Sequence, residues 1–346
     1  MQKFISITKQ IHNFKKRSIS VPGDKSLSIR FVLLSALSQG KCTAYNILKS
    51  EDVISAIKNV KKLGVKIIIG KSKCEVFGQG LFGFRYKKNL ILDAGNSGTT
   101  ARLLCSTLID AYYPTKIIGD KSLTRRDMSR IIKPLKLFGA KFQDNNGKLP
   151  ILIKGSKFTK PINYTENLGS AQVKSCLLAA FLNTPGLSTI EEKKISRNHS
   201  EILLKKISAD IKVKKLKKGN LISLRGQKNL RSFDYTVSSD PSSAAFLIAL
   251  TLLTPKAKLK IHNCLCNKNR MGFYKLLKEK AGANIKISNL KRSSNSGELV
   301  GTIIVKNSKL KSINCPKEII PSLIDELPIL FIIAALTKGT SKFQHI

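Results

Sequence analysis

The chain has 346 residues, 42% hydrophobic and 24% charged, with a formal net charge of +41. That length suits two domains with a large core, the composition is that of a globular chain rather than a disordered one, and no apolar run reaches a membrane span. Seven cysteines without CxxC spacing and four scattered histidines argue for buried thiols in a reducing compartment and against a His/Cys metal site.

The first stretch, "MQKFISITKQIHNFKKRSIS", lacks the continuous apolar segment of a secretory signal. Its basic, acid-poor character faintly suits an organelle presequence. Against that, the first motif already begins at Pro22, and a strand is predicted just before it. "VPGDKSLSIRFVLLSAL" then starts at Val21: a Pro-Gly turn, a cluster of Asp24, Lys25, Ser26, Ser28 and Arg30, and an apolar helix. "EDVISAIKNVKKLG" reads as an amphipathic helix, and "VKIIIG", "CEVFGQG" and "NLILDAG" as short strands.

The same alternation continues. "DAGNSGTTARLLCSTLI" places Asn96, Ser97, Gly98, Thr99 and Thr100 before an apolar run, followed by the amphipathic "MSRIIKPLKLFGA" and the strand "PILIKGS". "NLGSAQVKSCLLAAFL" places Gly169, Ser170 and Gln172 before the next apolar run, and "GNLISLRG" is a strand. "VSSDPSSAAFLIALTLL" echoes the opening motif, with Val237, Asp240 and Ser242 in step with Val21, Asp24 and Ser26. "RMGFYKLLKEKAGANI" is amphipathic, "GTIIVKN" a strand, and "IPSLIDELPILFIIAAL" sets Asp325 and Glu326 before a last apolar run. Two of the amphipathic helices run into Gly-Ala, a plausible C-cap.

Ser26, Gly98, Gln172, Ser242 and Asp325 follow one another at intervals of 72, 74, 70 and 83 residues, so five units of an internal repeat are visible. Helices this apolar are predicted to be buried on nearly all sides, which suggests inner helices wrapped by sheets.

A helix N-terminus offers free N–H groups and a positive dipole end to an anion. The Ser, Thr and Asp residues are equally ordinary N-caps, and both readings stay open for Ser242 and for Thr99 and Thr100. Lys25 and Arg30 fit a cap less well, because a cation there opposes the dipole unless an anion is bound. Asp325 could serve as a base in an apolar frame or merely as a favourable acid at a helix start.

Taken together, "PGDKSLSIR", "GNSGTTARLL", "GDKSLTRRDM", "GSAQVKSCLLA", "SRNHSE", "DPSSAAF" and "LIDELPIL" resemble the 5-enolpyruvylshikimate-3-phosphate synthase family, in the family's order and over essentially the whole chain. The resemblance implies an α/β, inside-out, barrel-like enolpyruvyl transferase fold of two domains built from repeats. One domain would combine 1–21 with 236–346, and the other would be 22–235. It implies transfer of the enolpyruvyl group of phosphoenolpyruvate to the 5-hydroxyl of shikimate 3-phosphate with release of phosphate, on the route to chorismate and aromatic amino acids. No metal or cofactor is implied, and a cytoplasmic monomer is expected that binds neither membrane nor nucleic acid.

By resemblance, Lys25 touches both substrates. Ser26, Arg30, Ser170, Gln172 and Arg197 are shikimate-phosphate ligands, with Gln172 also near phosphoenolpyruvate. Gly98 admits phosphoenolpyruvate, Arg126 binds it, and Asp325 also contacts shikimate 3-phosphate as the base for its 5-hydroxyl. The sequence departs from the family pattern at Asp127, Asn198, Ser238, Ser239 and Ser322. The resemblance also implies a further segment after "GTSKFQHI", carrying acid–base and phosphoenolpyruvate-binding residues. Six repeats of about 70 residues would need roughly 420. On that count the chain is expected to be weakly active or inactive by itself, with an apolar face exposed in its first domain.

Two other readings compete. A UDP-N-acetylglucosamine enolpyruvyl transferase shares the fold, but typically uses a loop Cys that "GDKSLTRRDM" lacks. A nucleic-acid-binding protein would explain the charge. However, Lys outnumbers Arg about four to one and is spread from end to end, aromatics are 6%, and Trp is absent.

Overall fold

The computed structural model describes Phe14 and residues 17–344. The presequence and signal readings of the first residues lie outside that range. The described chain opens with β1 (Arg17–Ile19), then α1 (Lys25–Ala36), β2 (Gln39–Tyr45), α2 (Glu51–Lys62), β3 (Lys66–Ile69) and β4 (Lys73–Gln79). A second stretch holds β5 (Leu90–Asp93), α3 (Gly98–Thr107), β6 (Thr115–Ile118), α4 (Ser129–Lys136), β7 (Lys141–Asn145) and β8 (Lys148–Lys154). A third holds β9 (Asn163–Glu166), α5 (Ala171–Asn183), β10 (Leu187–Glu192), α6 (His199–Lys206), β11 (Asp210–Lys215) and β12 (Asn220–Arg225). A fourth holds β13 (Asp234–Thr236), α7 (Pro241–Leu253), β14 (Lys258–Leu265), α8 (Gly272–Glu279), β15 (Ile285–Arg292) and β16 (Leu299–Lys306). β17 (Asn314–Cys315), α9 (Leu327–Ala335) and β18 (Lys342–Phe343) complete it.

The repeat is visible in the strand pairing. Four sheets share one plan: β13-β2-β4-β3, β5-β6-β8-β7, β9-β10-β12-β11 and β1-β14-β16-β15. In each, the first strand pairs parallel with the second, and the rest is antiparallel. β17 and β18 pair parallel, the first step of the same plan. β8 shows how the sequence builds such a face. Leu149, Ile151 and Ile153 are buried, while their neighbours along the strand are exposed, because successive side chains leave opposite faces. The class is α/β, with mixed sheets; among the described residues no sheet closes into a barrel.

The chain divides into two compact units. Unit 1 is Met1–Pro22, Ser238–Arg292 and Leu299–Ile346, and unit 2 is Gly23–Val237 with the hairpin tip Ser293–Glu298. In unit 2 the apolar helices are interior. α1 is buried from Leu27 to Ala36 and α5 from Val173 to Asn183, and α3 packs against α5. α2 instead buries one stripe, Val53, Ala56, Ile57 and Val60, at helical spacing. Gly139 and Gly282, after α4 and α8, take φ of +100° and +71°, so these helices end in left-handed glycines.

Unit 1 departs from the prediction of all-round burial, and instead shows the apolar face expected of the first domain. α7 and α9 pack on each other, yet Phe246 is 58%, Ile332 51% and Leu336 66% exposed. Three apolar helices can shield one another, whereas two leave an apolar flank each.

Candidate active site

Unit 2 places the N-termini of its inner helices side by side. Asp24 caps α1, its Oδ1 accepting from the Leu27 N–H at 2.8 Å. That turn depends on Gly23, where a Cβ would lie 2.0 Å from the Asn46 carbonyl oxygen. Lys25, the first helical residue, is half exposed, with Nζ 2.9 Å from Asp52 Oδ2 at the start of α2. Thr100 Oγ1, on α3, donates to the Asp52 carbonyl at 3.4 Å. Next to Thr100, Thr99 Oγ1 accepts from Gln172 Nε2 at 3.5 Å, which brings in the start of α5. A chain of contacts therefore runs from Lys25 through Asp52, Thr100 and Thr99 to Gln172.

Several predicted residues serve as caps. Ser97 Oγ accepts from the Thr100 N–H, and Ser170 Oγ from the Val173 N–H at 3.3 Å. Buried Glu166 holds the loop before α5, accepting from the N–H groups of Leu168, Gly169 and Ser170 at 3.1, 2.7 and 3.1 Å. In unit 1, Asp240 caps α7. The capping reading thus describes these side chains, while the N–H groups around them form the helix ends.

Arg30 is buried and turned inward. Its Nε donates to Ser200 Oγ at 2.9 Å, Nη2 to Ser175 Oγ at 2.8 Å and Nη1 to the Ser26 carbonyl at 3.1 Å. Burial lowers its pKa, Asp24 and Glu201 oppose that, and the nearby Arg197 charge adds to the lowering. Half-buried Arg197 thus shares its surroundings with Arg30. Arg126 is exposed, and its Nη2 donates to Asn96 Oδ1 at 2.8 Å. Asn96 in turn donates to Asp120 Oδ2 at 2.7 Å. Gly98 lies between two guanidinium groups: a Cβ there would be 2.7 Å from Arg102 Nη1 and 3.5 Å from Arg126 Nη1.

Asp325 belongs to unit 1. It lies in a 3-10 turn just before α9, is 47% exposed, and its Oδ2 is 3.9 Å from Arg270 Nη2. Arg270 Nη2 also donates to Ser242 Oγ at 2.7 Å, and Ser242 donates to Glu326 Oε1 at 2.5 Å. Ser242 is thus part of the surroundings of Asp325.

Sequence reasoning missed Asp52, Arg102, Lys174, Ser175, Ser200 and Arg270. Arg102 and Lys174 carried a usable signal, a lone cation inside an apolar helix, since a charge in such a run is buried and must meet a partner. Lys174 does, with Nζ 2.7 Å from Glu192 Oε1 and 2.8 Å from Glu201 Oε1. Ser175 and Ser200 carried no signal, because nothing local marks a hydroxyl as an arginine acceptor. Among the described residues, no group of three or more His, Cys, Asp or Glu is placed to hold a metal ion, and no helix is long and apolar enough to cross a membrane.

Repeated α/β units set serine- and threonine-rich helix starts beside lysine and arginine, an arrangement chemically able to bind small anions. The chain belongs to the EPSP synthase (3-phosphoshikimate 1-carboxyvinyltransferase) family, whose sequence profile matches residues 10–346. It is 38% identical over 331 residues to the 3-phosphoshikimate 1-carboxyvinyltransferase of Clostridium tetani, covering 96% of this chain and 73% of that protein. With the Zymomonas mobilis protein of the same name it shares 39% over 328 residues, covering 94% and 72%. The EPSP synthase structure from Acinetobacter baumannii superposes with a TM-score of 0.83 at 34% identity, over 95% of this chain and 74% of that one. The family result favours neither the UDP-N-acetylglucosamine enzyme nor a nucleic-acid binder.

Proposed function

We propose that this chain acts as a 3-phosphoshikimate 1-carboxyvinyltransferase, moving the enolpyruvyl group of phosphoenolpyruvate to the 5-hydroxyl of shikimate 3-phosphate and releasing phosphate. The carrying observation is the run of contacts from Lys25 to Gln172, which sets the starts of α1, α2, α3 and α5 beside cationic and amide groups. Such donors, held by the fold before substrate arrives, stabilise anionic substrates and developing charge at little reorganisation cost.

In this reading Lys25, Ser26, Arg30, Ser170, Gln172, Arg197 and Asp325 hold shikimate 3-phosphate. Lys25, Gly98, Arg126 and Gln172 hold phosphoenolpyruvate. Asp325 takes the 5-hydroxyl proton, and Lys25 stabilises charge at the reacting carbon. The chain forms two domains, 1–21 with 236–346 and 22–235, a reading that its division into two compact units supports, and the protein works as a cytoplasmic monomer without nucleic acid. The even spread of lysine supports an anion-attracting surface over a nucleic-acid track.

Calorimetric titration with each substrate, followed by a phosphate-release assay with both, tests the reading. Saturable binding of shikimate 3-phosphate, and of phosphoenolpyruvate in its presence, is expected, with release requiring both. A chain that binds neither substrate overturns it.

A further inference from the structure

Arg102 is the least explained charge in unit 2. It lies on α3, is 4% exposed, and has no carboxylate within salt-bridge distance among the described residues. Its Nε makes no hydrogen bond. Nη2 reaches only the Asp127 carbonyl, at 3.4 Å, whereas Nη1 donates to Gln172 Oε1 at 2.5 Å. Burial, with Arg130 and Arg126 as like charges nearby, pulls its pKa down to about 10, which still leaves it charged at neutral pH. A buried cation so poorly compensated is costly, and hydrophobic packing on α3 would need only an aliphatic side chain.

The geometry settles which way the Gln172 amide faces. An amide has one acceptor end and one donor end. The opposite orientation would set the –NH2 group against the guanidinium, donor against donor. With Oε1 held by Arg102, Nε2 faces the first turn of α3, where its contact with Thr99 Oγ1 is long, at 3.5 Å. That donor is weakly committed and available to an anion. Gly98 makes room for the arrangement, since a Cβ there would meet Arg102 Nη1 at 2.7 Å.

We propose that Arg102 is a positioning residue for the reaction: by occupying Gln172 Oε1 it presents the Gln172 N–H donors to the anionic substrate. The ligand part of this inference rests on the function proposed above, while the Arg102–Gln172 contact does not.

Three variants test it: Arg102→Met, Gln172→Glu and the double variant, each followed by thermal unfolding without ligand and by calorimetric titration with phosphoenolpyruvate in saturating shikimate 3-phosphate. Gln172→Glu gives Arg102 a carboxylate partner but turns the donor into an acceptor. It is expected to raise Tm by about 2–4 °C while weakening phosphoenolpyruvate binding about 10- to 100-fold. The gain in Tm should vanish in the Arg102→Met background. Arg102→Met alone should keep Tm within about 2 °C yet also weaken binding, a split that a merely structural arginine does not produce.

An equal Tm change from Gln172→Glu with and without Arg102 overturns the contact. Unchanged affinity in folded Arg102→Met overturns the positioning role. A wild-type chain that binds no phosphoenolpyruvate overturns the functional reading, and the Tm cycle then decides the contact by itself.

Discussion

Lys174 Nζ lies 2.7 Å from Glu192 Oε1 with both side chains 1% exposed, a fully buried ion pair within unit 2. Glu201 adds a second carboxylate at 2.8 Å, while Ser196 and Asn220 donate to Glu192. Burial pushes Glu192 up, but Lys174 and these hydrogen bonds outweigh it and hold the carboxyl below its usual range. Lys174→Met leaves two buried carboxylates without their cation and is expected to cost about 3–5 kcal/mol. Adding Glu192→Gln and Glu201→Gln should recover much of that loss. Urea unfolding of the single and triple variants checks this, and a triple variant as unstable as the single one contradicts it.

Asp110 gives a pH-dependent prediction. Burial pushes its carboxyl up to about 6, and the hydrogen bond from Asn183 Nδ2, at 2.9 Å, offsets only part. The folded chain therefore binds this proton more tightly than the unfolded one. Stability falls as pH rises from about 4 to about 6 and stays lower above that. Asp110→Asn should stabilise by on the order of 2 kcal/mol at pH 7.5, with the gain fading below about pH 4. Equal gains in denaturant unfolding at both pH values would show that Asp110 is not the titrating group.

Gly23 and Gly282 separate steric from conformational cost. A Cβ at Gly23 would lie 2.0 Å from the Asn46 carbonyl oxygen and 2.9 Å from Val237 Cγ1, so backbone must move. At Gly282 nothing lies within 4 Å, and only φ of +71° penalises a side chain. Gly23→Ala should cost about 2–3 kcal/mol and Gly282→Ala about 1 kcal/mol. Chemical denaturation ranks them; the reverse order would refute the steric account of the turn.

The apolar flank of unit 1 should tolerate charge. Phe246→Lys and Ile332→Lys remove exposed surface and are expected to change stability by less than about 0.5 kcal/mol. Binding of a hydrophobic fluorescent dye should drop at the same time. A large destabilisation would mean that these side chains are covered in solution.

Asp325 tests the proposed base. Asp325→Asn keeps the shape beside Arg270 but cannot take a proton. Phosphate release should fall about 10²–10⁴-fold, with shikimate 3-phosphate binding by calorimetry changed far less. Loss of binding in step with rate would assign Asp325 to substrate holding alone.

Much of this was legible in the primary structure. Local spacing marked the apolar helices starting at Lys25, Gly98, Ala171 and Pro241, their polar caps, and the roughly 70-residue period that became four sheets of one plan. The family match covers residues 10–346, and the relatives compared align over 94–96% of the chain. These features are local because capping and amphipathicity act within a turn or two of the backbone.

Tertiary structure decided which side chains meet. Arg102 and Gln172 are 70 residues apart, as Arg30 and Ser200 are 170 apart, and their pairing follows from how α3 packs on α5 and α1 on α6. It also decided which side chains form the open apolar flank expected of the first domain, Phe246, Ile332 and Leu336, through the packing of α7 on α9. The reason is physical. A hydrophobic pattern states that a helix face prefers to leave water, but the neighbours available in the folded chain determine what covers it and where its few buried charges find partners.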